Sequence, residues 1–223
     1  MIYPWFIWQY HAKREPNSTA VFLNQRPLTW GNLSVIIDRI AASFARQGVT
    51  EGDGILLRGN NSFQLLTAYL AGLQIGARVL PMNPKMPAAV VERIILKTNI
   101  GFYWSAEEET LPACGLELDP TKPKKDVVFY VPYDPDRVAT LTLTSGSSGL
   151  PKAAAHTIAA HCKNAEGVAQ LMNYHQHDNW LLSLPLYHVS GQGIVWRWLV
   201  RGARLAVRED TPLWESLEGV THA

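Results

Sequence analysis

Residues 144–152 concentrate hydroxyl groups, glycines and a lysine directly after an alternating Leu/Thr run. Gly146 and Gly149 allow positive φ and a close approach of the backbone, so that successive N–H groups can converge on an anion. The hydroxyl-bearing positions are Thr144, Ser145, Ser147 and Ser148. Lys152 supplies a positive charge at the end of the run. This combination predicts a loop that binds phosphate groups.

The loop differs from the Walker A pattern, in which lysine follows the second glycine and precedes Ser or Thr. Here Leu150 and Pro151 stand between Gly149 and Lys152. Pro151 restricts Leu150 to extended geometry, which opposes direct continuation into a helix. A flexible Gly/Ser linker is the competing interpretation, but linker composition does not explain the terminal Pro-Lys pair.

A second candidate site begins at a histidine that precedes two glycines. The residues predicted to contact substrate there are His188, Ser190, Gly191, Gln192 and Gly193. The glycines let a ligand lie against the backbone, at the point where the N–H groups of a helix begin to face outward. A histidine packed in the core and bonded to the backbone is the alternative.

Arg197 is the most specific candidate for substrate selection. On a helix, Ser190, Gly193 and Arg197 share one face, which places the guanidinium above the glycine-lined helix start. Trp196 and Trp198 flank it and disfavour a fully solvated helix. A buried arginine without an anion would cost about 3 to 5 kcal/mol, so we expect an aromatic substrate with a second carboxylate. An internal ion pair with Asp or Glu and a cation–π stack on a tryptophan remain alternatives.

Two groups of histidines have donor atoms of the kind that bind metals, but their spacing does not favour a metal site. Residues 175–178, His-Gln-His-Asp, follow a predicted helix in a polar turn and have no distant partner motif. His156 and His161 are expected to diverge on one helix rather than to form a ligand pair. The sequence therefore predicts no metal site built from these residues.

The elements that position these residues follow from an alternation of short apolar runs and helical patterns. Thr29 is predicted to cap a helix that stops at Gly48. Further helices are predicted over residues 63–75, 87–98, 156–172, 191–200 and 213–220. Strands are predicted over residues 54–58, 78–82, 101–105, 127–131, 138–144, 180–183 and 203–207. The alternation predicts an α/β fold with a mainly parallel, helix-covered sheet, interrupted by an exposed connection at about 107–125.

The composition limits the class of protein and partner. Of 223 residues, 47% are hydrophobic and 17% are charged, which is typical of a packed globular protein. The formal net charge of +1 provides no overall attraction to nucleic acid or an anionic membrane, so small-molecule partners are expected. The apolar residues 1–10 are too short to span a bilayer. Cys114 and Cys162 lack disulfide-framework or zinc spacing, which favours a reducing cytoplasm, and a homo-oligomer stays open.

The two motifs resemble those of the adenylate-forming enzymes, which include acyl- and aryl-CoA ligases. Residues 144–152 match that family's phosphate loop, Ser/Thr-Ser-Gly-Ser/Thr-Thr-Gly-x-Pro-Lys, with Ser148 in place of the usual threonine. Residues 184–193 match its aromatic–histidine motif. The resemblance covers essentially the whole chain. It implies the adenylate-forming (acyl-CoA synthetase-like) fold, with residues 1–223 as the N-terminal part of the large adenylation domain.

The same resemblance implies a reaction in which ATP, with Mg²⁺, activates a carboxylate as an acyl-adenylate that is then transferred to CoA. It gives Lys152 and His188 catalytic positions and leaves the second carboxylate of an aromatic acid to Arg197. Members of the family are considerably longer, so the chain is expected to be a fragment that is inactive alone. Another aryl- or acyl-CoA ligase and a non-catalytic nucleotide-binding fragment are the alternatives.

Overall fold

A computed structural model describes residues 5–106, 116–117, 119, 131–144 and 151–223 of the chain. The helices described there are α1 (Ile7–Arg14), α2 (Trp30–Arg46), α3 (Phe63–Gln74), α4 (Ala88–Thr98), α5 (Ile158–Leu171), α6 (Val189–Arg201) and α7 (Leu213–Ser216). The strands are β1 (Thr19–Leu23), β2 (Arg26–Thr29), β3 (Gly54–Arg58), β4 (Arg78–Met82), β5 (Phe102–Ser105), β6 (Leu116–Glu117), β7 (Val138–Thr144), β8 (Lys152–Thr157), β9 (Asn179–Leu181) and β10 (Arg204–Val207). The predicted α/β fold is confirmed.

The described strands form two sheets. The larger sheet has the order β6-β5-β3-β4-β7-β8, and each neighbouring pair is parallel except β7 with β8. The smaller sheet has the order β2-β1-β10-β9, in which β1 and β2 are antiparallel and the other pairs parallel. One apolar core contains residues of both sheets and of α1, α2, α3, α5 and α6, and a second, smaller core packs α4 against the larger sheet. The mainly parallel arrangement is therefore as predicted, although the strands are divided between two sheets.

Side-chain caps start the two helices that follow β2 and β3. Thr29 Oγ1 accepts a hydrogen bond from the Asn32 N–H at 3.2 Å, and α2 begins at the next residue after Thr29, as predicted. Ser62 Oγ accepts from the Leu65 N–H at 3.0 Å and starts α3. Because β3 ends at residue 58 and Ser62 is the cap of α3, only the short loop at residues 59–62 separates this strand from its helix.

The helix predicted from residue 156 begins later than expected. Residues 152–157 form β8, which pairs antiparallel with β7, and α5 starts after a cap by Thr157. His156 therefore lies on a strand and His161 on a helix, with their ring centroids 5.4 Å apart. The prediction that these two histidines diverge is wrong, because the chain folds back along β7 before the helix begins.

The sequence patterns miss the N-terminal elements α1, β1 and β2. Helix α1 has no side-chain cap and no acidic residue in its first turn, so it lacks the usual start signals. Residues 127–130 of the predicted strand 127–131 lie outside the described residues, and Val131 itself is in no strand. Most of the predicted connection at 107–125 also lies outside the described residues. Among the helices that are described, none combines the length and the apolar character needed to cross a membrane.

Candidate active site

The predicted phosphate loop joins the two strands of the antiparallel β7–β8 hairpin. Thr144 and Lys152 are partners in the strand register, and the Thr144 hydroxyl donates to the Lys152 carbonyl oxygen at 3.3 Å. Both residues are exposed. Ser145, Gly146, Ser147, Ser148 and Gly149 lie outside the described residues, so their contact with phosphate stays a prediction. The structure thus holds the two ends of the loop side by side at the edge of the larger sheet.

A cleft of about 190 Å³ brings the ends of this loop to His188. Its lining residues are Pro81, Asn83, Met86, Leu143, Thr144, Pro151, Tyr187 and His188. The walls are mostly apolar, with hydroxyl, amide and imidazole groups at intervals. Thr144 and His188, which are 44 positions apart in the sequence, therefore share one cavity. This is the arrangement expected of a site in which an organic acid meets a phosphate group.

His188 is the residue that precedes the first turn of α6, and it is exposed. Its backbone N–H donates to the Pro185 carbonyl at 3.0 Å, and its ring lies 4.7 Å from the ring of Tyr187. Within the described residues, the imidazole makes no hydrogen bond. This geometry differs from the alternative of a core histidine bonded to the backbone, since both ring nitrogens are available to a ligand.

The first turn of α6 separates the predicted substrate residues into an open and a packed group. Ser190 is exposed beside His188, whereas Gly191, Gln192 and Gly193 are buried. A Cβ at Gly191 would lie 2.1 Å from the Pro185 carbonyl oxygen, so only glycine fits there. Gln192 Nε2 donates to Thr142 Oγ1 of β7 at 3.2 Å. Gly191 and Gln192 therefore pack α6 against its neighbours, and their contact with substrate stays a prediction.

Arg197 lies above the glycine-lined start of α6, as the helical spacing predicts. A Cβ at Gly193 would be 2.9 Å from the Arg197 Nη2. The guanidinium is centred 5.0 Å from the Trp180 ring, which is the cation–π contact that the sequence left open. Its Nε is buried without a hydrogen-bond partner, and none of the described carboxylates forms an ion pair with it. Burial lowers the pKa of Arg197, an effect that a bound anion would oppose.

Metal-binding side chains do not cluster near this cleft. Among the described residues, no three or more His, Cys, Asp or Glu side chains could together hold a metal ion. The His-Gln-His-Asp run makes local turn contacts instead, with the His175 N–H donating to Asp178 Oδ2 at 2.7 Å.

A family model described as AMP-binding enzyme matches residues 8–222 of this chain. The chain belongs to the AMP-binding enzyme family. The match spans both sheets and the cleft between the loop and His188, so the resemblance seen in the two motifs extends over the fold.

Curated members of the AMP-binding family match the chain over nearly its full length. The 2-succinylbenzoate–CoA ligase of Salmonella typhimurium is 46% identical over 99% of this chain and 48% of its own length. The corresponding Escherichia coli ligase is 44% identical over 100% of the chain and 49% of its own length. A solved structure of wild-type E. coli MenE with a bound phenylether-linked analogue of OSB-AMS has a TM-score of 0.93 at 43% identity, over 100% of this chain and 49% of that one. The chain thus spans about half the length of these relatives.

Sequence reasoning on this AMP-binding enzyme missed residues that hold the site together from a distance. Asn61 makes three hydrogen bonds to the backbone before His188. His161 bonds to Thr140 Oγ1 at 2.7 Å and stacks on Trp196 of α6, with centroids 4.7 Å apart. No local motif marks these residues, because their partners are far away in the sequence.

Proposed function

We propose that this chain binds ATP and 2-succinylbenzoate within an AMP-forming CoA ligase of menaquinone biosynthesis, acting in the cytoplasm. One observation carries the proposal. Arg197 presents a half-buried guanidinium, without a carboxylate partner among the described residues, on the same helix that begins beside His188. A substrate with two carboxylates can place one at Arg197 while the other reacts. The curated relatives, which carry the name 2-succinylbenzoate–CoA ligase, support this choice of acid.

The proposed reaction has two steps. A carboxylate oxygen of the acid attacks the α-phosphorus of ATP, the bond to the β-phosphate breaks, and pyrophosphate leaves with the electron pair. The CoA thiol then attacks the acyl carbon, releasing AMP and a proton. Both reactants of the first step are anions, so donors fixed in advance are needed where negative charge collects.

The predicted site residues suit different parts of this chemistry. Lys152 and the loop before it would neutralise the β- and γ-phosphates, to which Mg²⁺ is also bound in solution. His188 and Ser190 would face the acyl group from the other side of the cleft and orient its carboxylate by hydrogen bonds. The apolar walls of the cleft would exclude water from the acyl-adenylate, which water would otherwise hydrolyse.

The test uses a completed ligase, in which this chain is followed by the remaining half of the Salmonella typhimurium relative. We expect ATP–pyrophosphate exchange that depends on 2-succinylbenzoate. Lys152→Ala should lower the rate by about 100-fold or more, since it would remove a positive charge that stabilises the leaving pyrophosphate. Lys163→Ala, an exposed cation on α5, is the matched control and should retain the rate. A wild-type rate in Lys152→Ala would refute the phosphate assignment.

A ligase for a different aromatic acid is the second candidate, and the Trp180 contact favours it. A cation–π stack is worth about 0.5 to 2 kcal/mol and partly satisfies Arg197 without any carboxylate. Such an enzyme would activate monocarboxylic aryl acids as readily as 2-succinylbenzoate. The comparison of substrates described in the Discussion separates the two candidates.

A further inference from the structure

Asn61 holds the backbone segment that leads into His188. Its Nδ2 donates to the carbonyl oxygens of Leu182 and Leu184, at 3.0 and 2.8 Å. Its Oδ1 accepts from the Leu186 N–H at 2.9 Å. Both amide hydrogens and the carbonyl oxygen are used, so the three partners fix the orientation of this side chain.

The segment held in this way lies outside regular structure. Residues 182–186 follow β9 and precede α6. The Leu182 N–H donates to the Ala206 carbonyl oxygen of β10 at 2.9 Å, whereas Pro185 has no N–H and the carbonyl groups of Leu182 and Leu184 are satisfied by Asn61. Leu186 is fully buried, while the Pro185 carbonyl presses against Gly191 of α6. The segment is therefore fixed between a side chain from one loop and the first turn of a helix.

This contact joins the two sheets at the site. Asn61 belongs to the loop after β3, a strand of the larger sheet. The same sheet carries Thr144 at the end of β7 and Lys152 at the start of β8. The held segment continues β9 of the smaller sheet and ends at His188. Among the described strands, no hydrogen-bonded pair connects one sheet to the other. The distance between His188 and the phosphate hairpin thus depends on packing and on side-chain hydrogen bonds such as those of Asn61.

From this arrangement we infer that Asn61 is a positioning residue for adenylation. Asn61 does not line the cleft itself and acts through the backbone that carries His188. The inference rests on the proposed function, since it is the acyl group at His188 that must meet the α-phosphate. A misplacement of about 1 Å at a reacting centre can cost about 100-fold in rate, so loss of three hydrogen bonds here should affect turnover rather than nucleotide affinity.

The first experiment measures 2-succinylbenzoate-dependent ATP–pyrophosphate exchange by the completed ligase. Asn61→Ala should lower kcat by about 10- to 100-fold and change the KM for ATP by less than about threefold. Asn60→Ala is the matched control, because Asn60 is an exposed neighbour in the same loop. Its kcat should equal that of the unsubstituted ligase. A wild-type kcat in Asn61→Ala would overturn the inference.

A second variant adds a readout that a purely structural role would not change. Asn61→Asp keeps an acceptor for the Leu186 N–H but turns a second oxygen toward the two carbonyl oxygens. The two facing carbonyl oxygens and partial burial disfavour the carboxylate and raise the pKa of the introduced carboxyl group above its ordinary value of about 3.9. Its protonation restores one donor, so the kcat of this variant relative to the unsubstituted ligase should rise as the pH falls from about 7 to about 4.5. A ratio that stays constant with pH would contradict the positioning role, including in the case that Asn61→Ala does not fold.

Amide hydrogen exchange of residues 182–188 tests the contact without any substrate. In Asn61→Ala the Leu186 N–H should exchange faster, while the amides of α3 keep their protection. Unchanged protection of Leu186 would overturn the inference on structural grounds. If the unsubstituted ligase shows no 2-succinylbenzoate-dependent pyrophosphate exchange, the proposed function fails instead, and the two failures are thereby distinguished.

Discussion

Replacing Arg197 with leucine separates recognition of a second carboxylate from general effects on the fold. The side chain is half buried, its Nε has no partner, and its contacts are the Trp180 ring and the backbone face at Gly193. Leucine keeps part of the packing and removes the charge. Because no described carboxylate loses its partner, we expect the thermal unfolding midpoint of Arg197→Leu to stay close to that of the unsubstituted protein.

The expected loss in kcat/KM for 2-succinylbenzoate follows from the hydrogen bond between Arg197 and a carboxylate that leucine cannot make. A hydrogen bond to a charged group is worth about 1.5 to 3 kcal/mol, and leucine removes at least one such bond between the half-buried guanidinium and a carboxylate. Since about 1.4 kcal/mol corresponds to a factor of ten, kcat/KM for 2-succinylbenzoate should fall by about 10- to 150-fold. The KM for ATP should not change, because Arg197 does not line the cleft that contains the ends of the phosphate loop.

The assay compares three acids in the completed ligase. The first is 2-succinylbenzoate, and the other two each lack one of its carboxylates, namely 4-oxo-4-phenylbutanoate and 2-butanoylbenzoate. For whichever monocarboxylic acid is activated, Arg197→Leu should leave kcat/KM nearly unchanged. Arg201→Leu, which removes a cation one turn further along α6, controls for a general loss of positive charge. Equal losses with the dicarboxylic and monocarboxylic acids would remove Arg197 from substrate recognition and favour the second candidate function.

Two further predictions address the surroundings of α6. Gly193→Ala should place a Cβ 2.9 Å from the Arg197 Nη2 and displace the guanidinium. The KM for 2-succinylbenzoate should therefore rise, while circular dichroism shows no loss of secondary structure. An unchanged KM would show that the position of Arg197 is not critical. Burial, aided by the charge of His156, lowers the pKa of His161 to about 3 from 6.5, so the unfolded chain binds this proton at higher pH than the folded protein. The free energy of unfolding should therefore fall as the pH drops below about 6.5, and His161 should contribute up to about 1.4 kcal/mol per pH unit. Urea titrations of His161→Phe should show a free energy of unfolding that depends less steeply on pH. Equal slopes for the two proteins would contradict this assignment.

The sequence predicted most elements that carry the site. The run from Gly54 to Arg58, the helix capped by Thr29, and the helix that begins near His188 all appear where periodicity and caps indicate. Their patterns are readable because each depends on neighbours within a few positions. The strand at residues 152–157 was hidden, because small residues such as Ala153, Ala154 and Ala155 favour a helix locally, whereas pairing with β7 decides the outcome.

The candidate site residues show the same difference between local patterns, which the sequence reveals, and distant contacts, which it does not. Hydroxyls, glycines and lysine in one loop are enough to predict a phosphate site from sequence, because these residues are contiguous. The same holds for the spacing that puts Arg197 above Gly193 on one helix. By contrast, no spacing rule predicts the packing of Gln192, whose buried amide donates to Thr142, 50 positions away, while its contact with substrate stays a prediction.

The amino-acid sequence by itself determined the local chemistry of this protein: the anion-binding composition of residues 144–152, the helix start at His188, and the family to which both motifs belong. Only the tertiary structure decided which distant groups meet. Asn61 and Leu186, 125 positions apart, are joined by a hydrogen bond that no spacing rule predicts, and His156 and His161 are brought together by a strand reversal. The physical reason is that helix and strand periods depend on neighbouring residues, whereas contacts between sheets depend on how whole elements pack.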